Sequence, residues 1–148
     1  MKILLVYPEY EETFWNFKKV LRIIGKKSAY PPLGLLTVAA MLPKDWEKKL
    51  IDLNCEKLKD EHIKWADYVF ISSILGQKES AKKIINAVKK MGKPVVAGGS
   101  LFTIGWEEFP NVDVFVLGEA EEIFPEFLQD LKEGKLKNLK EEDVLKYK

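Results

Sequence analysis

The sequence predicts an α/β fold, a three-layer sandwich with one five-stranded parallel sheet between two layers of helices. Three observations predict it. Short apolar runs of strand length recur five times along the 148 residues. Several of these runs are apolar on both faces, as strands covered by helices on each side are. Segments with helical spacing stand between them, and alternation of strand and helix builds parallel sheets. Five strands in one small domain favour the flavodoxin-like (Rossmann-like) order 2-1-3-4-5.

Each element has its own justification. Lys2–Tyr7 (KILLVY) is a β-rich run stopped by Pro8, which has no N–H for a ladder. Residues 9–27 are polar and aromatic, and 15–24 suit a short helix. Tyr30-Pro31-Pro32 breaks the chain, and 33–42 reads as an apolar helix ended by Pro43. Residues 46–53 (WEKKLIDL) form the second strand. Asp60–Trp65 reads as a helical turn with Asp60 as its N-cap. Residues 67–72 (DYVFIS) are the third strand. In 77–91, Ala81, Ile84, Ile85 and Val88 recur at helical spacing, with Gly92 and Pro94 as the stop. The fourth strand, 94–97, runs into Gly98-Gly99, and the fifth, 113–117, into Gly118. Residues 121–131 form a last helix, apolar through Ile123, Phe124, Phe127, Leu128 and Leu131 and ended at Gly134. The reading is therefore one domain over 1–134 and a Lys/Glu-rich tail or linker over 135–148.

Composition narrows the function. Hydrophobic residues make up 47% and charged residues 32%, enough for a core, while the length leaves no room for a second full domain. Lys plus Arg number 24 against 23 Asp plus Glu, and this balance argues against nucleic acid as a partner. Cys55 is the one cysteine, which excludes an intramolecular disulfide framework, a Cys-rich zinc site or an iron–sulfur cluster held by this chain alone. His62 is the one histidine, so a metal site of this chain is not expected. No apolar run approaches the roughly 20 residues of a membrane span, and a cytoplasmic location is the expectation.

In open parallel sheets, ligands bind beyond the carboxyl ends of the strands. Those segments here are Pro8-Glu9-Tyr10, Ser72-Ser73-Ile74, Gly98-Gly99-Ser100 and Gly118-Glu119-Ala120-Glu121. They are short, small and polar. Glycines let a ligand approach the backbone, and the serines offer hydroxyls. The competing reading is a set of plain turns and helix caps. The dinucleotide fingerprint and the phosphate loop are both absent, and Ser72 stands where a receiver domain needs Asp.

Four strings occur in order: Tyr30-Pro31-Pro32-Leu33-Gly34-Leu35-Leu36, Ile71-Ser72-Ser73-Ile74, Val95-Val96-Ala97-Gly98-Gly99 and Gly118-Glu119-Ala120-Glu121. Together they resemble the N-terminal cobalamin-binding domain of cobalamin-dependent radical S-adenosylmethionine enzymes. The resemblance covers roughly 1–131. The opening string from Tyr7 to Trp15 resembles a subgroup that includes hopanoid methylases and members of unknown substrate. It implies that Ser72, Ser73, Ile74, Gly98 and Gly99 face the cofactor's nucleotide tail and corrin edge, with the Gly118–Glu121 turn beside the same pocket. Pro8, Glu9 and Ser100 join the expected cofactor-binding set by position. The D-x-H-x-x-G motif, whose His ligates cobalt in better-known modules, is absent after strand one. Glu9 and Tyr10 remain candidates there. The C-x-x-x-C-x-x-C motif of the radical domain is absent too, so iron–sulfur cluster and S-adenosylmethionine would belong to a catalytic domain elsewhere.

Several tempting residues have plain explanations. His62 reads as a surface residue of a short helix, and Cys55 as a small edge residue with no His near it in sequence. Glu119 and Glu121 suit a helix N-terminus as well as acid–base chemistry, and no catalytic residue is assigned. Phe14, Trp15 and Phe17 suit core packing, corrin contact or docking. The expected function is an accessory domain that holds cobalamin at the carboxyl rim for a radical S-adenosylmethionine domain, in some members a methyltransferase. Two alternatives stand beside it: an interaction or substrate-presenting module without cofactor, and a flavin- or nucleotide-binding domain.

Overall fold

The computed structural model describes residues 1–11, 30–138 and 145–148. Its sheet contains β1 (Lys2–Tyr7), β2 (Glu47–Asp52), β3 (Tyr68–Ser72), β4 (Val95–Gly98), β5 (Val114–Val116) and β6 (Leu145–Tyr147). The order is β2-β1-β3-β4-β5-β6, and every neighbouring pair is parallel. The expected order is present, with a sixth strand added beyond β5. The helices are α1 (Leu33–Met41), α2 (Asp60–Trp65), α3 (Lys78–Lys90), α4 (Ser100–Gly105) and α5 (Ala120–Lys132). No helix among the described residues is long and apolar enough to cross a membrane.

Side chains alternate along each strand, so β1 divides its residues between two cores. Leu4 and Val6 pack with Ile84, Ile85 and Val88 of α3 and Phe102 of α4. Ile3, Leu5 and Tyr7 pack with Leu35 of α1 and Phe124, Phe127 and Leu131 of α5. The sheet is thus covered on both sides, which explains why KILLVY shows no polar face. Aromatic rings fill the second core, with Phe70 in edge contact with Phe127 at 5.8 Å.

Two expectations change, and one lies outside the described residues. The helix placed at 15–24, and with it Phe14, Trp15 and Phe17, lies outside the described residues. Asp60 is the first residue of α2 rather than its cap. Lys59 is the cap, and its backbone N–H donates to His62 Nδ1 at 3.3 Å. Within the stretch taken as tail or linker, Leu145–Tyr147 join the sheet. Tyr147 is buried, its ring meets Phe127 edge-on at 5.5 Å, and its hydroxyl donates to Asp130 Oδ2 at 2.8 Å. Lys146 Nζ sits 3.2 Å from the Trp106 ring centroid, a cation–π contact. An edge strand of this length needs one apolar anchor, and three residues show no readable period.

Candidate functional site

The carboxyl ends of β3, β4 and β5 meet in a group of tight turns. The Ser73 N–H donates to the Gly98 carbonyl at 3.1 Å, and the Ser73 carbonyl accepts from the Leu101 N–H at 3.1 Å. The β3 and β4 turns are therefore tied backbone to backbone. Gly99 has φ +94° and no space for a side chain. A Cβ there would lie 2.7 Å from the Ser73 carbonyl oxygen and 2.9 Å from Ser72 Oγ. Gly118 turns the chain into α5 with φ +124°. Gly34 brings the start of α1 against the same place, where an added Cβ would meet Ser72 Oγ at 3.6 Å.

These turns surround a cleft of about 630 Å³ on the α1/α5 side of the sheet. Its floor is apolar, made of Phe70, Val96, Val116 and Phe124. Its walls carry Leu33, Gly34, Thr37 and Val38 of α1, Ser100, Thr103 and Ile104 of α4, and Glu119 and Glu121 at the start of α5. The first residues of α1, α4 and α5 all border it, so three helix N-termini place their partial positive charge beside the opening. Among the described residues, no Lys or Arg lines it. The size is that of a small-molecule site, apolar with a few polar groups.

Seven of the expected residues come together on this cleft: Ser72, Gly98, Gly99, Ser100, Gly118, Glu119 and Glu121. Four do not line it. Pro8 is buried, and its carbonyl accepts from Gln77 Nε2 at 2.7 Å and Asn54 Nδ2 at 3.2 Å. The Glu9 N–H donates to Ser80 Oγ at 3.0 Å, and the Glu9 side chain is outside the lining. Ser73 is fully buried, with its hydroxyl donating to the Ile74 carbonyl at 3.3 Å. Ile74 is exposed beyond the cleft. The crevice between β1 and β3 is thus plugged by protein groups, and the open cleft lies over β3, β4 and β5.

Sequence reasoning missed Thr37, Val38, Thr103 and Ile104, all lining. The signal for the first pair was present, because the string from Tyr30 to Leu36 leads straight into them. The sequence reading places no helix at 100–105, so the one-turn spacing of Ser100, Thr103 and Ile104 gives it no signal. Tyr10 and His62 also fall outside the lining. The Tyr10 hydroxyl sits 2.6 Å from that of Tyr7, and burial, then this bond, raises its pKa well above the ordinary phenol range. Tyr10 therefore stays protonated at neutral pH. Among the described residues, no three His, Cys, Asp or Glu side chains gather as metal ligands.

Comparison with known proteins gives the family of the chain. Residues 20–128 match the B12 binding domain family. The chain belongs to the B12-binding domain family. Its cofactor is cobalamin. The residues present fit that group. The apolar floor with hydroxyls and carboxylates on its walls suits a large ligand with apolar and amide parts, and Gly98 and Gly99 are kept small by the Val116 carbonyl and the Ser73 backbone beside them. The B12-binding chain is 38% identical over 136 residues to an uncharacterized methyltransferase of Synechocystis sp., covering 90% of this chain and 25% of that protein. It is 31% identical over 119 residues to the hopanoid C-2 methylase of Rhodopseudomonas palustris, covering 80% and 23%. An uncharacterized methyltransferase of Pyrococcus horikoshii is 32% identical over 147 residues, covering 91% and 30%. The chain therefore spans 23–30% of the length of these relatives.

Proposed function

We propose that this B12-binding domain holds cobalamin in the β3–β5 rim cleft as the accessory part of a radical S-adenosylmethionine enzyme, with methyl transfer as the reaction class. One observation carries the placement: residues from three separate strand ends, all in family-like strings, line a single cleft. Ser72, Ser100 and Thr103 supply hydroxyls for an amide-studded ligand, and Glu119 and Glu121 supply acceptors for amide N–H groups. Gly98 and Gly99 let the β3 and β4 turns pack together at the edge of the cleft. The floor of Phe70, Val96, Val116 and Phe124 suits an apolar or aromatic portion and excludes water. Bound cobalamin would supply the cobalt that carries a methyl group. This chain's residues bind and orient; none that lines the cleft is a histidine.

A catalytic body over the cleft is supported by the surface. Among the described residues, the exposed large apolar side chains other than Met1 are Tyr30, Leu33, Leu36, Ile74, Leu75 and Ile104. All belong to segments at the carboxyl end of the sheet. An apolar rim on one end marks an interaction surface, and the relatives are three to four times longer. A phosphate-led flavin or nucleotide site is less favoured, since among the described residues no cationic side chain lines the cleft.

The test is direct. The chain is mixed with hydroxocobalamin, desalted, and its visible spectrum recorded. Stoichiometric retained corrinoid is expected, and an uncoloured protein would overturn the placement.

A further inference from the structure

Two polar residues are fully buried among the described ones, Ser73 and Gln77, and Gln77 adds side-chain bonds between the loops that follow the paired strands β1 and β3. Its Nε2 donates to the Pro8 carbonyl at 2.7 Å. Its Oε1 accepts the Ile74 N–H at 3.1 Å and lies 3.5 Å from Ser73 Oγ. Asn54, after β2, reaches the same Pro8 carbonyl at 3.2 Å, and its Oδ1 accepts the Tyr10 N–H at 3.1 Å. The Glu11 N–H closes the ring on the Gly76 carbonyl at 2.9 Å. One carboxamide therefore binds the exit of β1 to the turn after β3.

The chain of contacts continues toward the cleft. Ser73 holds Gly98 and Leu101 by backbone bonds, and the Gly99 backbone lies against Ser72 and Ser73 with no room for a Cβ. Ser72, Gly98, Gly99 and Ser100 line the cleft, whereas Pro8, Ser73 and Gln77 do not. We infer that Gln77 is a positioning residue for the cofactor cleft, fixing the Ser72–Gly99 wall from behind by clamping the β1, β3 and β4 turns into one unit. The role needs a donor and an acceptor at one buried point, which a carboxamide has. Leu has neither, and an ionised Glu lacks the donor for Pro8. Left unmet in a dry site, these backbone groups would move to find partners.

This inference rests on the cofactor reading above, and the experiment separates the two. Gln77→Leu, Gln77→Glu and Val88→Ala are prepared in the 148-residue chain. Val88 is fully buried in α3 and serves as a control that destabilises without touching the clamp. Amide hydrogen exchange is measured without ligand, and hydroxocobalamin affinity by absorbance titration. The Gln77 variants should speed exchange at Glu11, Ser73 and Leu101 at least tenfold more than Val88→Ala does, and weaken hydroxocobalamin at least tenfold. Val88→Ala should keep wild-type affinity. If Gln77→Leu does not fold, Asn54→Ala should give the same pattern, weaker. Unaltered local exchange, or equal loss of affinity in Val88→Ala, would overturn the inference. If the wild-type chain takes up no hydroxocobalamin, the cofactor reading falls, and the exchange arm still decides the clamp.

Discussion

Gly99 shows how one residue type sets the wall of the cleft. Its φ of +94° and the 2.7 Å approach to the Ser73 carbonyl make any side chain strained and clashing at once. A Gly99→Ala variant should lose about 1–3 kcal/mol of stability by urea unfolding. It is therefore a poor probe of binding, despite the expectation that a side chain there would block a ligand. Ser100 is the better probe, being exposed, on the lining and with ordinary backbone geometry. Ser100→Trp should change stability by no more than about 0.5 kcal/mol while weakening hydroxocobalamin tenfold or more. Wild-type affinity in that variant would move the ligand out of the cleft. His62 makes the opposite case. It accepts the Lys59 N–H and serves α2, so His62→Ala should cost about 0.5–1 kcal/mol and leave the corrinoid spectrum and affinity unchanged. A histidine-nitrogen splitting in the Co(II) resonance spectrum, lost in His62→Ala, would contradict this placement.

At the scale of elements, β6 and α5 depend on each other. The Asp130 carboxyl of α5 is held below the usual carboxylate range, first by the Lys135 hydrogen bond and then by the Tyr147 hydroxyl. A carboxyl depressed in the folded state adds stability above its unfolded pKa and loses it as pH falls through the folded one. The stability gap between wild type and Tyr147→Phe should therefore hold from pH 7 to about 5 and shrink in stronger acid. Urea unfolding of both proteins across that range is the measurement, and a gap independent of acid would show that the Asp130 bond does not hold β6. The elements also show how far local reading reaches. α3 was legible because Ala81, Ile84, Ile85 and Val88 all turn inward, and all are buried. β1 was legible because both its faces are covered. α4 and β6 were not, because six and three residues carry too little pattern to outweigh turn signals.

For the whole molecule, binding and folding are linked. Ligand that binds the folded chain raises its stability by about 2.7 kcal/mol at a hundredfold excess over Kd. For a chain of this size that corresponds to a rise in Tm of about 5–10 °C. Thermal melts with increasing hydroxocobalamin should show the rise, and a concentration-independent Tm would count against specific binding.

The chain by itself determined the alternation of strand and helix, the parallel order from β2 through β5, and the rim on which to search. It also carried the small residues of that rim, because short range is enough: periodicity, a proline stop and a glycine pair are local properties. Tertiary structure decided which rim residues share a cleft and which plug the neighbouring crevice. Pro8 and Ser73 looked no different in sequence from Ser72 and Gly98. Their roles separate only when Gln77 bonds a carbonyl 69 positions away and α1 closes over β3 at Gly34. A buried carboxamide finds partners according to which loops the sheet order makes neighbours, and no local pattern records that choice.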